Sequence, residues 1–63
     1  MCQSSVYMEK EGEEQEILKD AILVEPVDNG VKIQAMFEAP KLVKARIKRI
    51  DLLKHKVILE EIT

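Results

Sequence analysis

The strongest constraint on the fold of this chain is a turn signal, Asp28-Asn29-Gly30, that lies between two apolar segments. Asp, Asn and Gly tolerate positive φ at little steric cost, so this triplet favours a tight β-hairpin. Residues 21–27, before the turn, are rich in aliphatic side chains. After the turn every second residue is apolar, which is the period of a half-buried strand. The predicted buried face of that strand consists of Val31, Ile33, Ala35 and Phe37.

Turn residues and alternating polarity divide the rest of the chain into further short strands. In the first of them, Val6 and Met8 share a face opposite Tyr7. Pro26 lacks an amide donor, so its strand should lie at a sheet edge or carry a bulge there. A second bulge is expected near Arg49, where the alternation breaks. Predicted strands cover residues 4–9, 15–18, 21–27, 31–37, 43–48 and 57–60.

Short strands separated by frequent turns predict an all-β fold, a small open β-barrel or sandwich of short, mainly antiparallel strands. The main alternative is a helix over residues 41–54, which contain good helix formers and no internal Gly or Pro. No internal repeat or linker divides the sequence, so residues 1–63 are expected to form a single domain.

The small size of this domain predicts association. A domain of 63 residues buries only about 60% of the surface that its unfolded chain exposes. Disulfides, metals or oligomerisation usually compensate, and the single cysteine excludes an intrachain disulfide. Open sheets also have unpaired edges, which offer a route to a homodimer.

Charge is segregated along the chain: residues 1–38 carry a net charge of −6, residues 41–56 carry +6, and residues 57–63 carry −2. A basic strand containing Lys44, Arg46 and Lys48 could bind RNA or another acidic partner. The alternative, which we favour, is that acidic and basic strands lie side by side with their charges paired across the sheet.

Catalysis is not expected from this sequence. One histidine and dispersed carboxylates offer no catalytic spacing, and two glycines cannot form a phosphate-binding loop. The longest apolar run has four residues, and the N-terminal segment lacks the features of a signal peptide. We therefore expect a non-enzymatic protein of the cytoplasm, where a lone thiol stays reduced.

Cys2 is the candidate metal ligand of this chain. Its thiolate, its backbone nitrogen and the nearby terminal amine can form adjoining chelate rings, and mixed N and S donors in a plane suit Ni(II) or Cu(II). One chain does not easily supply four such donors, whereas two chains can. From spacing alone an idle free thiol is the alternative. The only histidine, His55, could be a ligand, but without a second His or Cys nearby a structural role in a turn is favoured.

The sequence resembles the CooT family of small proteins associated with nickel delivery to carbon monoxide dehydrogenase. The resemblance spans nearly the whole chain. It is carried by Met1-Cys2 leading into Val6-Tyr7, by the Val27-Asp28-Asn29-Gly30-Val31 hairpin, by Met36-Phe37-Glu38, by Val43-Lys44-Ala45-Arg46-Ile47-Lys48, and by the segment from Asp51 to Glu60.

This resemblance implies a β-rich homodimer with a solvent-exposed Ni(II) site where two N-termini meet, and Cys2 is the only functional residue that it transfers. The expected function is that of a nickel-binding accessory protein serving the maturation of a nickel enzyme such as carbon monoxide dehydrogenase. The second hypothesis is a small RNA-binding or interaction module using Lys44, Arg46 and Lys48. Two aromatic residues make a poor stacking platform for RNA, which disfavours it.

Overall fold

The computed structural model describes residues 4–62, and every regular element in that range is a β-strand. One six-stranded sheet has the order β4-β3-β2-β1-β6-β5, and β1 and β6 are its parallel pair. The strands are β1 (Ser4–Lys10), β2 (Glu13–Val27), β3 (Gly30–Ala35), β4 (Lys41–Val43), β5 (Ala45–Asp51) and β6 (Lys56–Glu61). The prediction of an all-β fold is confirmed, and the helical alternative for residues 41–54 is wrong.

The strands predicted around residues 15–18 and at 21–27 are a single 15-residue strand, β2. Its first half pairs with β1 as far as Ala21, and its second half pairs with β3. The change of partner occurs next to Asp20, whose φ of 55° interrupts the regular strand. Pro26 lies in the second half, where β3 is the one neighbouring strand within residues 4–62. The expectation that Pro26 lies at a local edge is therefore confirmed.

The bend in β2 curls the sheet into a half-barrel. It brings the β2–β3 hairpin back over the sheet, so that β3 packs against β5. The apolar core fills the concave side and consists of Val6, Leu18, Val31, Ile33, Ala35, Ala45, Val57 and Leu59. Partly buried residues, Met8, Ala21, Val24, Val43 and Ile47, pack against it. The predicted inward face of β1 and the first three positions of the predicted face of β3 are thus confirmed.

Phe37 does not belong to this core, although the alternation predicted that it would. Strand β3 ends at Ala35, and the backbone N–H of Glu38 donates to the Ala35 carbonyl at 3.2 Å, closing a turn. Phe37 has a φ of 65° in this turn, and its side chain is 97% exposed. The periodic pattern continued past the residue at which the strand ends.

The second predicted bulge occurs in β5. The register between β5 and β6 shifts between Ile47 and Arg49, close to the position where the polarity pattern breaks. This prediction is confirmed. No helix long and apolar enough to cross a membrane occurs within residues 4–62.

Candidate functional site

Cys2, the predicted metal ligand, lies outside the described residues, and the description begins two residues later in β1. Ser4 pairs with Ala21 of β2, and the backbone N–H of Ser5 donates to the carbonyl of His55 at 2.9 Å. Strand β1 is therefore anchored from its first described residue, between β2 on one side and the turn before β6 on the other. The segment that carries Cys2 is attached to this end of the sheet.

The turn between β5 and β6 lies beside this attachment point. Its backbone is held by Asp51, whose Oδ1 accepts a hydrogen bond from the Lys54 N–H at 3.0 Å. His55 closes the turn with a φ of 55° and presents its carbonyl to Ser5. The structural role expected for His55 is confirmed in this respect. Within residues 4–62, no three His, Cys, Asp or Glu side chains are grouped closely enough to hold a metal ion.

On the other side of Ser4, β2 lies between β1 and the end of β3. The Met36 N–H donates to the Asp20 carbonyl at 3.1 Å, next to the Ala21–Ser4 pair. Five exposed apolar residues lie in the segments on either side of the start of β1: beside Ala21 and Ala35, and in the turn before β6. This apolar rim consists of Ile22, Met36, Phe37, Leu52 and Leu53.

Sequence reasoning missed the apolar rim. The alternation predicts that Phe37 is buried, yet Phe37 is almost fully exposed, and Leu52 and Leu53 are 80% and 87% exposed. The available signal was the position of Leu53 at the start of the turn that the sequence predicts over Leu53 to Lys56. A turn runs over the surface, so apolar side chains within it are placed in solvent.

The convex face of the sheet carries the charges that the sequence segregates. Bases of β5 and β6 pair with acids of β1, β2 and β6, so the favoured interpretation of the charge pattern is confirmed. The ion pairs are Lys48 with Glu9, Arg49 with Glu14 at 3.2 Å, Lys56 with Glu14 at 3.0 Å, and Arg46 with Glu60 of β6 at 2.8 Å. Ile58, which is paired with Tyr7 of β1 and Arg49 of β5, is 1% exposed although it does not belong to the main core.

Glu14 and Lys56 form the central pair of this charged face. A hydrogen bond from the Lys56 ammonium, supported by the positive charge of Arg49, lowers the pKa of Glu14. The same hydrogen bond raises the pKa of Lys56, whose Nζ also lies 4.5 Å from the centre of the Tyr7 ring. Both groups are held in their charged forms, and two of the three bases proposed for RNA contact, Arg46 and Lys48, are already paired.

Nearly the whole chain resembles known proteins in sequence and in fold. The family model described as CO dehydrogenase accessory protein CooT matches residues 1–60. An uncharacterized protein of Methanothermobacter thermautotrophicus is 30% identical over 60 residues, covering 95% of this chain and 89% of the relative. A crystal structure described as CooT from Carboxydothermus hydrogenoformans superposes with a TM-score of 0.85 at 27% identity. That match covers 98% of this chain and all of the other.

Proposed function

From the premise that this chain belongs to the CooT family of CO dehydrogenase accessory proteins, we propose that it binds Ni(II) through Cys2 where two copies meet. As a member of that family it is an accessory protein and not itself an enzyme. In the proposed function it delivers nickel to a nickel enzyme such as carbon monoxide dehydrogenase, or to the factors that mature one. The proposal places it in the cytoplasm, where the thiol stays reduced.

The observation that best supports the proposal is the anchoring of β1 next to Cys2. Ser4 is paired with Ala21 on one side, and Ser5 is hydrogen-bonded to His55 on the other. The two-residue connection from Cys2 therefore starts from a defined point in the sheet. Two residues span at most about 7 Å, so the thiol stays close to this end of the sheet. The family match includes Cys2, since it begins at residue 1.

The chemistry of the donors suits nickel as a cargo. A thiolate with amide or amine nitrogen donors forms the planar N and S set that Ni(II) and Cu(II) accept. One Cys2 from each of two chains supplies two thiolates, and neighbouring nitrogens complete the set. Such a site at the end of a sheet stays open to an acceptor protein, whose own ligands can replace these donors one at a time.

The RNA-binding alternative has less support. It needs Lys44, Arg46 and Lys48 as a free cationic strand, but Arg46 pairs with Glu60 and Lys48 pairs with Glu9. Contacts to phosphate would have to replace these pairs. The net charge of −2 also gives the chain no general attraction for a polyanion.

The test is a calorimetric titration of the full chain with Ni(II), with light-scattering mass measured before and after. We expect one nickel per two chains, release of protons on binding, and weaker binding as the pH falls, because the thiols must deprotonate. Cys2→Ser should abolish binding. Cys2→Ser combined with Ser4→Cys, which moves the thiol into the anchored strand, should not restore it.

One nickel per chain, or binding that survives Cys2→Ser, would contradict the shared thiolate site. A parallel titration with a single-stranded RNA oligonucleotide at two salt concentrations tests the alternative. Steeply salt-dependent RNA binding without nickel uptake would favour the RNA-binding function, because phosphate contacts release counterions.

A further inference from the structure

The first half of β2 has one edge that is not paired with another strand. This half pairs with β1 on one side, and the pairing of β2 with β3 on the other side begins only at Ala21. Within residues 4–62, no strand lies against the outer edge of the segment before Ala21. In an antiparallel pair alternate residues bond to the neighbouring strand, so the residues between them direct their N–H and C=O groups outward. Such groups can bond to one more strand.

The regular part of this free edge runs from Glu13 to Glu16. Its register with β1 is continuous from the Lys10–Glu13 pair to the Tyr7–Glu16 pair, and the register shifts at Ile17. All four residues are exposed, so a further strand can approach without displacing core side chains. Four extended residues span about 13 Å, which allows several main-chain hydrogen bonds to an added strand.

The charge of the free edge identifies the kind of strand that it fits. Glu13 and Glu16 take part in none of the ion pairs formed within residues 4–62, and neither does Glu11 in the adjoining turn. The edge strand at the other end of the sheet, β5, is also charged, but each of its three bases is paired with an acid. Two identical acidic edges repel each other, whereas a basic strand would neutralise this one.

We propose that the free edge of β2 binds an extended basic segment of a partner protein, which adds to the sheet as one more strand. Successive side chains of a strand point to opposite faces, so Glu13 and Glu16 lie on opposite faces of the sheet. A base opposite each of them requires Lys or Arg at two positions three residues apart in the added strand. Glu14 is already paired with Arg49 and Lys56, so it needs no further base.

The test follows amide hydrogen exchange of the full chain by NMR in the presence of a probe peptide, Thr-Lys-Val-Thr-Lys-Val-Thr, whose lysines are three residues apart. A control peptide of the same sequence has N-methylated backbone amides, which keeps the charge and removes the main-chain donors. Glu13→Gln combined with Glu16→Gln removes the charge of the edge. Asp28→Asn combined with Glu38→Gln is the matched control, because these exposed acids near the two ends of β3 also form no ion pair in the described range. Far-UV circular dichroism checks that both variants are folded.

In the free chain we expect alternate amides of residues 13–16 to exchange rapidly, and we expect the peptide to protect them. The variant without the two edge charges should bind the peptide about tenfold more weakly, because two cross-strand charge pairs are lost. The matched control variant should bind it as wild type does, and the N-methylated peptide should protect none of these amides.

Three outcomes would overturn the proposal. Equal binding of the N-methylated peptide, or an equal loss of affinity in the matched control variant, would mean that charge alone attracts the peptide. Protection of the same amides in the free chain that rises with protein concentration would mean that a second copy occupies the edge. Exchange that stays rapid at millimolar peptide would mean that the edge accepts no added strand.

Discussion

The sequence pattern predicts where β3 begins and where it ends, but only the predicted beginning agrees with the structure. At the first end, the Asp28–Asn29 turn leads into Gly30, and the strand begins there. A Cβ on Gly30 would lie 2.1 Å from the Val43 carbonyl oxygen, so glycine is required by the approach of β4. At the second end the alternation runs on to Phe37, but the strand stops at Ala35.

The difference is in what ends the strand. The first end is a local event, because residues adjacent in sequence make the turn. The second end lies where β2 bends: the Met36 N–H donates to the carbonyl of Asp20, a residue distant in sequence, and a turn closed by the Glu38 N–H and the Ala35 carbonyl follows. Alternation reports which residues would share a face if a strand continued, and it carries no information about where a neighbouring strand bends.

The largest effect on the free energy of unfolding is expected in the middle of β3. Ile33 is among the largest fully buried side chains, and Ile33→Ala removes its methyl groups and leaves a cavity. We expect a loss of about 2–5 kcal/mol in the free energy of unfolding. Urea denaturation followed by circular dichroism measures it. A loss below 0.5 kcal/mol, the range of ordinary surface changes, would mean that β3 does not form the core.

A second variant tests the residue at which β3 begins. Gly30→Ala forces the new methyl group against the Val43 backbone and should cost about 1–3 kcal/mol, the usual range for overpacking. Gly12→Ala is the control, because nothing lies within 4 Å of a Cβ there and only its positive φ is affected. Thermal unfolding midpoints should fall further for Gly30→Ala. Equal shifts would indicate that backbone conformation, and not contact with β4, selects glycine at residue 30.

The smallest effect on the free energy of unfolding is expected just after the C-terminal end of β3. Phe37→Gly removes an exposed ring and relieves a positive φ, so it should leave the unfolding free energy unchanged or raise it by up to about 1 kcal/mol. Urea denaturation at two protein concentrations measures the change, so that any effect of association is separated from folding of the single chain. A loss of more than 2 kcal/mol would show that Phe37 is packed as the alternation predicted.

Most of the strands could be predicted from sequence, because each is bounded by local turn chemistry. Residues close in the chain decide three of these features: the inward face of Val6 and Met8, the turn at Gly12 and the hairpin at Asp28–Asn29. The continuity of β2 could not be predicted in this way. Its Asp20 bend is kept within one strand because β1 and β3 pair with either side of it.

The candidate site divides in the same manner. Cys2 was identified from its position and from the family resemblance, and its role as a nickel ligand stays a prediction that the titration tests. The apolar rim could not be found from sequence, since Ile22, Phe37 and Leu53 lie far apart along the chain. Their segments are brought to either side of β1 only by the pairing of the strands.

By itself, the sequence determined the all-β class, the main turns and the inward faces of β1 and β3, because side-chain alternation and turn conformations are local properties of the backbone. Tertiary structure alone decided where β2 bends, where β3 ends and which apolar residues remain in solvent. Those features depend on hydrogen bonds between residues distant in sequence, such as Met36 with Asp20 and Ser5 with His55. A periodic sequence pattern does not identify such hydrogen-bond partners, because the two residues become neighbours only once the sheet has formed.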